Sequence, residues 1–260
     1  KFTTSTMSAV GVAQQAAAIV ANVVPSVCLI LMNKYLVQHY KFSFVLSLTF
    51  FHMAVLSIAM LALCQAGVFE RKDMSPRNTM LLASTGIGSI AFMNLNLAFN
   101  SVGFYQLSKL ACVPCTVLVQ TLFWHESFSW QVKGSLLVLM VGIGWATVTD
   151  VLFNFTGFVL AVLAVISTTL YQILIGSKQK ELGMSQFQVL LSVAPYMAGL
   201  SLLCVLLFES HANFGMSSVF DYDWSSGCVR MIVLTCVAAV GVNVSTFILI
   251  RKTSALTYLV

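Results

Sequence analysis

The sequence reads as an all-α polytopic membrane protein, and three observations carry that reading. Of its 260 residues, 59% are apolar and only 8% are charged, and the mean hydropathy is +0.93. A water-soluble domain carries about a quarter charged residues to keep its surface wetted. The apolar residues also fall in blocks of about 20 between short polar breaks, the length at which a helix crosses a bilayer. Soluble enzyme, coiled coil, disulfide scaffold and disordered chain are excluded together. The net charge of +5 comes from basic residues scattered among the breaks, so it is no nucleic-acid signal.

The spans read in order as 10–33, 43–66, 78–99, 102–124, 132–149, 155–177, 187–208 and 228–250, with a ninth opening near Thr253 and cut at Val260. The first block is too long for the apolar core of a cleavable signal peptide. The breaks include the charge cluster from Phe69 to Asn78, and the segments His125 to Gln131, Lys178 to Gln186 and Glu209 to Gly227. Pro25, Pro114 and Pro195 each fall inside a span, where each frees a backbone carbonyl and suits a kinked helix around a cavity. Six of the seven cysteines lie in or beside apolar blocks and read as small hydrophobes. Cys112 and Cys115 have CxxC spacing but sit mid-helix, without the soluble context of a redox motif.

Lysine and arginine set the orientation. Lys1, Arg71, Lys72, Arg77, Lys133, Lys178, Lys180, Arg251 and Lys252 collect on one side, against Lys34, Lys41 and Arg230 on the other. Nine against three places the amino terminus in the cytosol. The sequon at Asn154 falls on the far side, too close to the membrane for an acceptor, and the one at Asn243 lies within a span.

One charge stands inside the membrane. Lys109 lies about seven residues into the fourth span, about 10 Å below the far interface. A charge at the bilayer centre costs roughly 2.5–3.5 kcal/mol on insertion scales, somewhat less at this depth. Snorkelling to the headgroups is one explanation. A ligand site is the other, and two features favour it. Ser101, Tyr105, Lys109, Cys112, Thr116 and Gln120 form a polar stripe at helical spacing. All eight acidic residues (Glu70, Asp73, Glu126, Asp150, Glu181, Glu209, Asp221 and Asp223) fall in breaks or at span ends. No intramembrane carboxylate is available to Lys109, so the expected substrate is an anion.

Other intramembrane polar groups divide between recognition and packing. Asn94, Asn96 and Asn243 suit either hydrogen bonds to a sugar or base, or helix-to-helix bonding. Tyr171, Gln172 and Tyr196 suit either a base or ordinary packing, and His52 with Thr49 reads as an interhelical bond before a ligand. Lys34 and Lys41 read as interfacial anchors. No metal cluster or acid/base pair lies at membrane depth, so neither an enzyme nor a cofactor is expected. A weak internal repeat, Ser101 to Tyr105 against Ser254 to Tyr258, is five spans apart, an offset that reverses topology as in inverted-repeat transporters.

Around Lys109 the sequence resembles a known family. Asn100-Ser-Val-Gly-Phe-Tyr-Gln-Leu-Ser-Lys109, followed by Pro114, is similar to the fourth helix of the nucleotide-sugar transporter and triose-phosphate translocator family of the drug/metabolite transporter superfamily. Asn33-Lys34 with Leu48 to His52 resembles its first two helices, and Ala146 to Asp150 with Asn154 and Gly157 its centre. Leu170 to Lys180, Val242 to Phe247 and Lys252 to Tyr258 extend the likeness over nearly the whole chain. The proline usual between Phe42 and Thr49 is missing.

The resemblance implies a ten-helix bundle of two inverted five-helix repeats working by alternating-access exchange. Residues 1–150 would form the first repeat and 151–260 the second, incomplete one. It implies that Lys109 contacts substrate phosphate, with Tyr105, Gln106, Asn94, Asn96, Asn243 and Tyr258 shaping the sugar and base pocket and Tyr171, Gln172 and Tyr196 as further candidates. The sequence most resembles plant-type UDP-sugar carriers, so the implied activity is Golgi or ER import of a UDP-sugar against a nucleoside monophosphate, with room for a homodimer. A plastid inner-envelope triose-phosphate/phosphate exchanger and a non-transporting scaffold are the alternatives. The second basic site, in helix nine, would follow Val260.

Overall fold

The computed structural model describes residues 9–123, 127–148, 155–210 and 218–252. Eight helices follow one another: α1 (Ala9–His39), α2 (Val45–Gln65), α3 (Pro76–Phe99), α4 (Val102–Phe123), α5 (Trp130–Val148), α6 (Phe155–Leu182), α7 (Gln186–Cys204) and α8 (Ser226–Lys252). A π turn, Val205–Glu209, continues α7, and a 3₁₀ turn, Val219–Asp221, precedes α8. Among the described residues, seven helices are long and apolar enough to cross a membrane, and α5 contributes a shorter apolar stretch, Trp130–Trp145. The protein is a polytopic all-α membrane protein, as its composition requires. The expected ninth span, Asn154, Asp150 and Tyr258 lie outside the described residues.

Local chemistry sets the helix ends. Ser75 caps α3 by accepting from Asn78 N, with Pro76 at the first helical position, where its missing N–H costs nothing. Ser185 and Gln188 form a capping box on α7, a feature worth about 1 kcal/mol. α2 stops at Gly67, whose φ of +75° closes the last turn through Val68 N to Leu63 O at 3.1 Å. The first turn of α2 is capped from a distance. Glu209 accepts from Leu46 N and Ser47 N at 2.8 Å each and from Ser47 Oγ at 2.6 Å. A carboxylate there meets both unpaired amides and the positive helix end.

Two helices outrun the expected spans. α1 continues six residues past 33, to His39, and carries Asn33 and Lys34 inside it. α6 runs through Lys178 and Lys180 to Leu182, helped by a Lys178–Glu181 ion pair at 2.7 Å on its solvated face.

The packing is organised by pairs: α3 lies on α6, α1 on α8 and α2 on α7, while α3 also meets α7 and α8 also meets α2. Exchanging each helix with the one five places away returns the same set. α3 on α6 becomes α8 on α1, α3 on α7 becomes α8 on α2, and α2 on α7 is unchanged. Polar bonds cross the two outer pairs, among them Ser89 to Thr168 at 2.8 Å and Asn22 to Ser245 at 3.1 Å. The junctions repeat as well. After α1, Lys41 takes φ +55° before buried Phe42 and then Ser43; after α6, Gly183 takes φ +56° before buried Met184 and then Ser185. Each junction is tied from an opposite loop, Tyr222 donating to Tyr40 O at 2.7 Å and Lys72 to Leu182 O at 2.6 Å.

The core is correspondingly double. One cluster, with Leu56, Met60, Leu82, Phe187, Val193 and Met197, joins α2, α3 and α7 towards the end where α1 begins. The other, with Leu36, Phe42, Phe44, Leu48, Cys228 and Ile232, seals the far end. There Phe42, Phe44, Tyr222 and Trp224 pack edge to face at 5.3–5.6 Å between ring centres. Burial, with the Cys228 thiol beside it, pushes the Tyr222 phenol up, so it stays protonated and donating across the physiological range.

Candidate substrate site

The site is built on the first turns of α4. Ser101 Oγ accepts from Phe104 N at 3.0 Å and starts the helix. One turn on, Tyr105 is buried against Ile30 of α1 and Leu97 of α3. A further turn brings Lys109, whose Nζ lies 5.5 Å from the centre of the Tyr105 ring. That contact is worth about 0.5–2 kcal/mol and is the one attraction seen for this charge among the described residues. The described ion pairs are Arg71–Asp73 and Lys178–Glu181, both outside the spans. Lys109 is exposed although it stands two turns inside an apolar helix. Two further stripe residues are occupied locally: Cys112 bonds to Ser108 O at 3.6 Å and Thr116 to Cys112 O at 2.7 Å. Cys112 and Cys115 are both free thiols.

The remaining candidates separate by place. Asn94 reaches from α3 to Thr49 of α2 at 3.2 Å, one turn from Leu97, and Gln106 is half-buried beside Tyr105. Asn243 is half-buried on α8 and donates to Ala239 O of its own helix at 2.8 Å. Asn96 is 0% exposed and accepts from Asn100 Nδ2 at 2.7 Å. The same Asn100 amide donates to Gly157 O at 2.9 Å, so Asn96 belongs to a joint between α3 and α6. Tyr171 packs over Gly86, where an added Cβ would stand 3.0 Å from its ring. Gln172 is exposed on α6, and Tyr196 is 44% exposed on the side of α7 away from the core. Tyr105, Gln106 and Lys109 thus stand together on α4, whereas Asn94 on α3 turns to Thr49 of α2; Asn96, Tyr171, Gln172 and Tyr196 lie elsewhere.

Two features were not legible as such, while the interhelical bond expected of His52 is present. Lys34, expected as an interfacial anchor, is held by protein: its Nζ donates to Leu97 O at 2.7 Å, to Ala98 O at 3.4 Å and to Asn100 O, capping the carbonyl end of α3. Glu209 is the cap of α2. His52, buried, pairs with Thr235 of α8 at 3.0 Å, and because Thr235 donates to Ile232 O, the imidazole Nε2 carries the proton.

The profile of the family described as "Triose-phosphate Transporter family" matches residues 16–260. The chain belongs to this family. Among curated proteins of Arabidopsis thaliana, UDP-xylose transporter 3 is 40% identical over 241 residues, covering 91% of this chain and 66% of that protein. UDP-xylose transporter 1 is 38% identical, covering 93% and 70%. UDP-rhamnose/UDP-galactose transporter 3 is 37% identical over 239 residues, covering 91% and 68%. The chain thus spans about two thirds of the length of these triose-phosphate transporter family members. Family and relatives are transporters, in keeping with a site that offers a cation and ring faces.

Proposed function

We propose that this protein is a secondary antiporter carrying a nucleotide sugar, a UDP-sugar, across the Golgi or ER membrane in exchange for a nucleoside monophosphate. The observation that carries the reading is Lys109: a cation two turns inside α4, over an aromatic ring, with no carboxylate partner among the described residues. The sugar nucleotides in the relatives' names supply the substrate class. Lys109 holds phosphate. Tyr105, Gln106, Asn94, Asn243 and, beyond the described residues, Tyr258 shape the sugar and base pocket. Residues 1–150 and 151–260 act as inverted repeats, a division supported by a set of helix pairs that is unchanged when each helix is exchanged with the one five places away.

Exchange follows from the charge. With the site empty, Lys109 crosses the occluded state without its anion. Losing a phosphate charge at roughly 4 Å forfeits on the order of 4 kcal/mol at an effective dielectric of about 20. A barrier raised by about 3 kcal/mol slows the empty return more than a hundredfold. The full-length carrier therefore takes up labelled UDP-sugar into UMP-loaded vesicles and hardly at all into empty ones, and Lys109→Ala folds but does not exchange. Equal rates in empty and loaded vesicles, or normal uptake by Lys109→Ala, would refute the reading. Phosphate in place of UMP as the effective internal anion would identify a triose-phosphate/phosphate exchanger instead.

A further inference from the structure

Two adjacent residues at the far end of α1 stand in opposite energetic situations. Lys34 crosses from the α1/α8 pair to the α3/α4 side, where its ammonium meets the carbonyls of Leu97, Ala98 and Asn100. Those groups end α3, where carbonyls lack helical partners and carry the negative end of the dipole. In the closed arrangement seen here, cation and helix end satisfy each other. One turn back, Ile30 packs on Leu97 and Tyr105 beneath the same contact.

Asn33 is the converse case. Asn22 bonds Ser245 of α8, and Pro25 lies 3.9 Å from where a Cβ on Gly241 would stand, so these residues mark the face of α1 turned to α8. Ile30 and Lys34 mark the face turned to α3 and α4. At 100° per residue, Asn33 falls between the two faces, towards the bundle interior. It is 7% exposed, and its Oδ1 meets no donor among the described residues. A buried acceptor without a donor keeps its full desolvation penalty, which water would remove if this end opened.

We propose that Lys34 and Asn33 are positioning residues that set, in opposite directions, the balance between the closed and open states of this end. Lys34 holds α1 against the end of α3 and favours closure. Asn33, satisfied only when the end parts and hydrates, favours opening. The proposal rests on the alternating-access exchange proposed above, and it adds which residues fix the resting ratio of the two states. A ligand's apparent affinity from one face scales with the fraction of carriers open to that face. The ratio of far-face to near-face KM therefore reports the balance directly, whatever the variant does to the overall rate.

The experiment is UMP exchange by the full-length protein in oriented proteoliposomes, with KM measured from each face. Lys34→Met is expected to lower the far-to-near ratio about tenfold, equivalent to about 1.4 kcal/mol. Asn33→Leu, which removes the unmet oxygen and puts an apolar group of similar size in its place, is expected to raise it about tenfold. Lys34→Arg, which still donates to carbonyls, keeps the wild-type ratio, and the Asn33→Leu/Lys34→Met pair returns towards it. A general loosening of the fold would raise both KM values together and leave the ratio unmoved. Ratios unchanged in Asn33→Leu, or moving the same way in both single variants, would overturn the proposal. A wild type that exchanges UMP while the variants keep its ratio sinks only this inference; a wild type without UMP exchange sinks the carrier reading as well.

Discussion

Gly157→Ala tests the joint between α3 and α6. A Cβ at Gly157 would stand 2.2 Å from Asn100 Oδ1, 2.8 Å from its Cγ and 2.9 Å from its Nδ2. All three atoms belong to an amide that is 5% exposed and doubly bonded, to Asn96 Oδ1 at 2.7 Å and Gly157 O at 2.9 Å. The amide therefore has to leave, and Asn96, wholly buried, loses the donor to its oxygen. An unmet buried group costs about 1–3 kcal/mol, and hydrogen bonds between membrane helices average about 0.6 kcal/mol in measured cycles. Two lost bonds and one stranded acceptor give about 2–4 kcal/mol. For a chain of this size that lowers an apparent unfolding midpoint in detergent by roughly 4–16 °C. Gly176→Ala is the control, because it lies in the same helix with nothing within 4 Å of its added Cβ. It should be neutral or stabilising by up to about 1 kcal/mol. Removing the obstructing side chain as well, in Gly157→Ala/Asn100→Ala, should cost less than the sum of the two single changes. A Gly157→Ala protein melting with the control would show that the amide yields freely and the joint holds nothing.

Three further outcomes are expected. Glu209→Ala leaves Leu46 N, Ser47 N and Ser47 Oγ without their acceptor and should destabilise the protein by about 1–3 kcal/mol, with Glu209→Gln between it and wild type. Melting curves identical to wild type would remove Glu209 as the cap of α2. Single cysteines in the Arg71–Arg77 loop should react with an impermeant maleimide from the cytosol and those near Phe220 from the lumen; the reverse would overturn the nine-to-three basic asymmetry as the guide to topology. Tyr105→Leu removes the ring beneath Lys109 and leaves a cavity against Ile30 and Leu97, so it should raise KM for UMP several-fold and lower the melting midpoint, and an unaltered KM would separate the ring from the site.

What the sequence made legible was whatever announces itself within a few residues. A charge in an apolar block marks Lys109 without reference to anything distant. Asn94 and Asn96 look alike in sequence, and only Asn100 and Gly157, brought in by the α3/α6 contact, consign Asn96 to the joint. The first span was expected to stop at 33 because Asn33-Lys34 is polar. The helix goes on because carbonyls more than sixty residues later accept the lysine. Glu209 likewise read as loop charge, since the amides it caps come some 160 residues earlier. Polar groups with remote partners hide those partners from a linear reading; a charge inside an apolar block is visible to it.

The pairing of helices also dictates an order of assembly. α1 is made well before the helix it rests on, α8, which is among the last described segments. At 5–20 residues per second, on the order of ten to forty seconds pass between them. Over that interval Asn22 sits in the bilayer without the α8 surface that later bonds it. α3 waits in the same way for α6, with Asn96 and Asn100 on it. The nascent chain is thus most vulnerable before its second half arrives, when these polar side chains are open to the insertion machinery and to membrane quality control. A variant that delays or misplaces α8 would expose α1, a defect felt in yield before it is felt in transport.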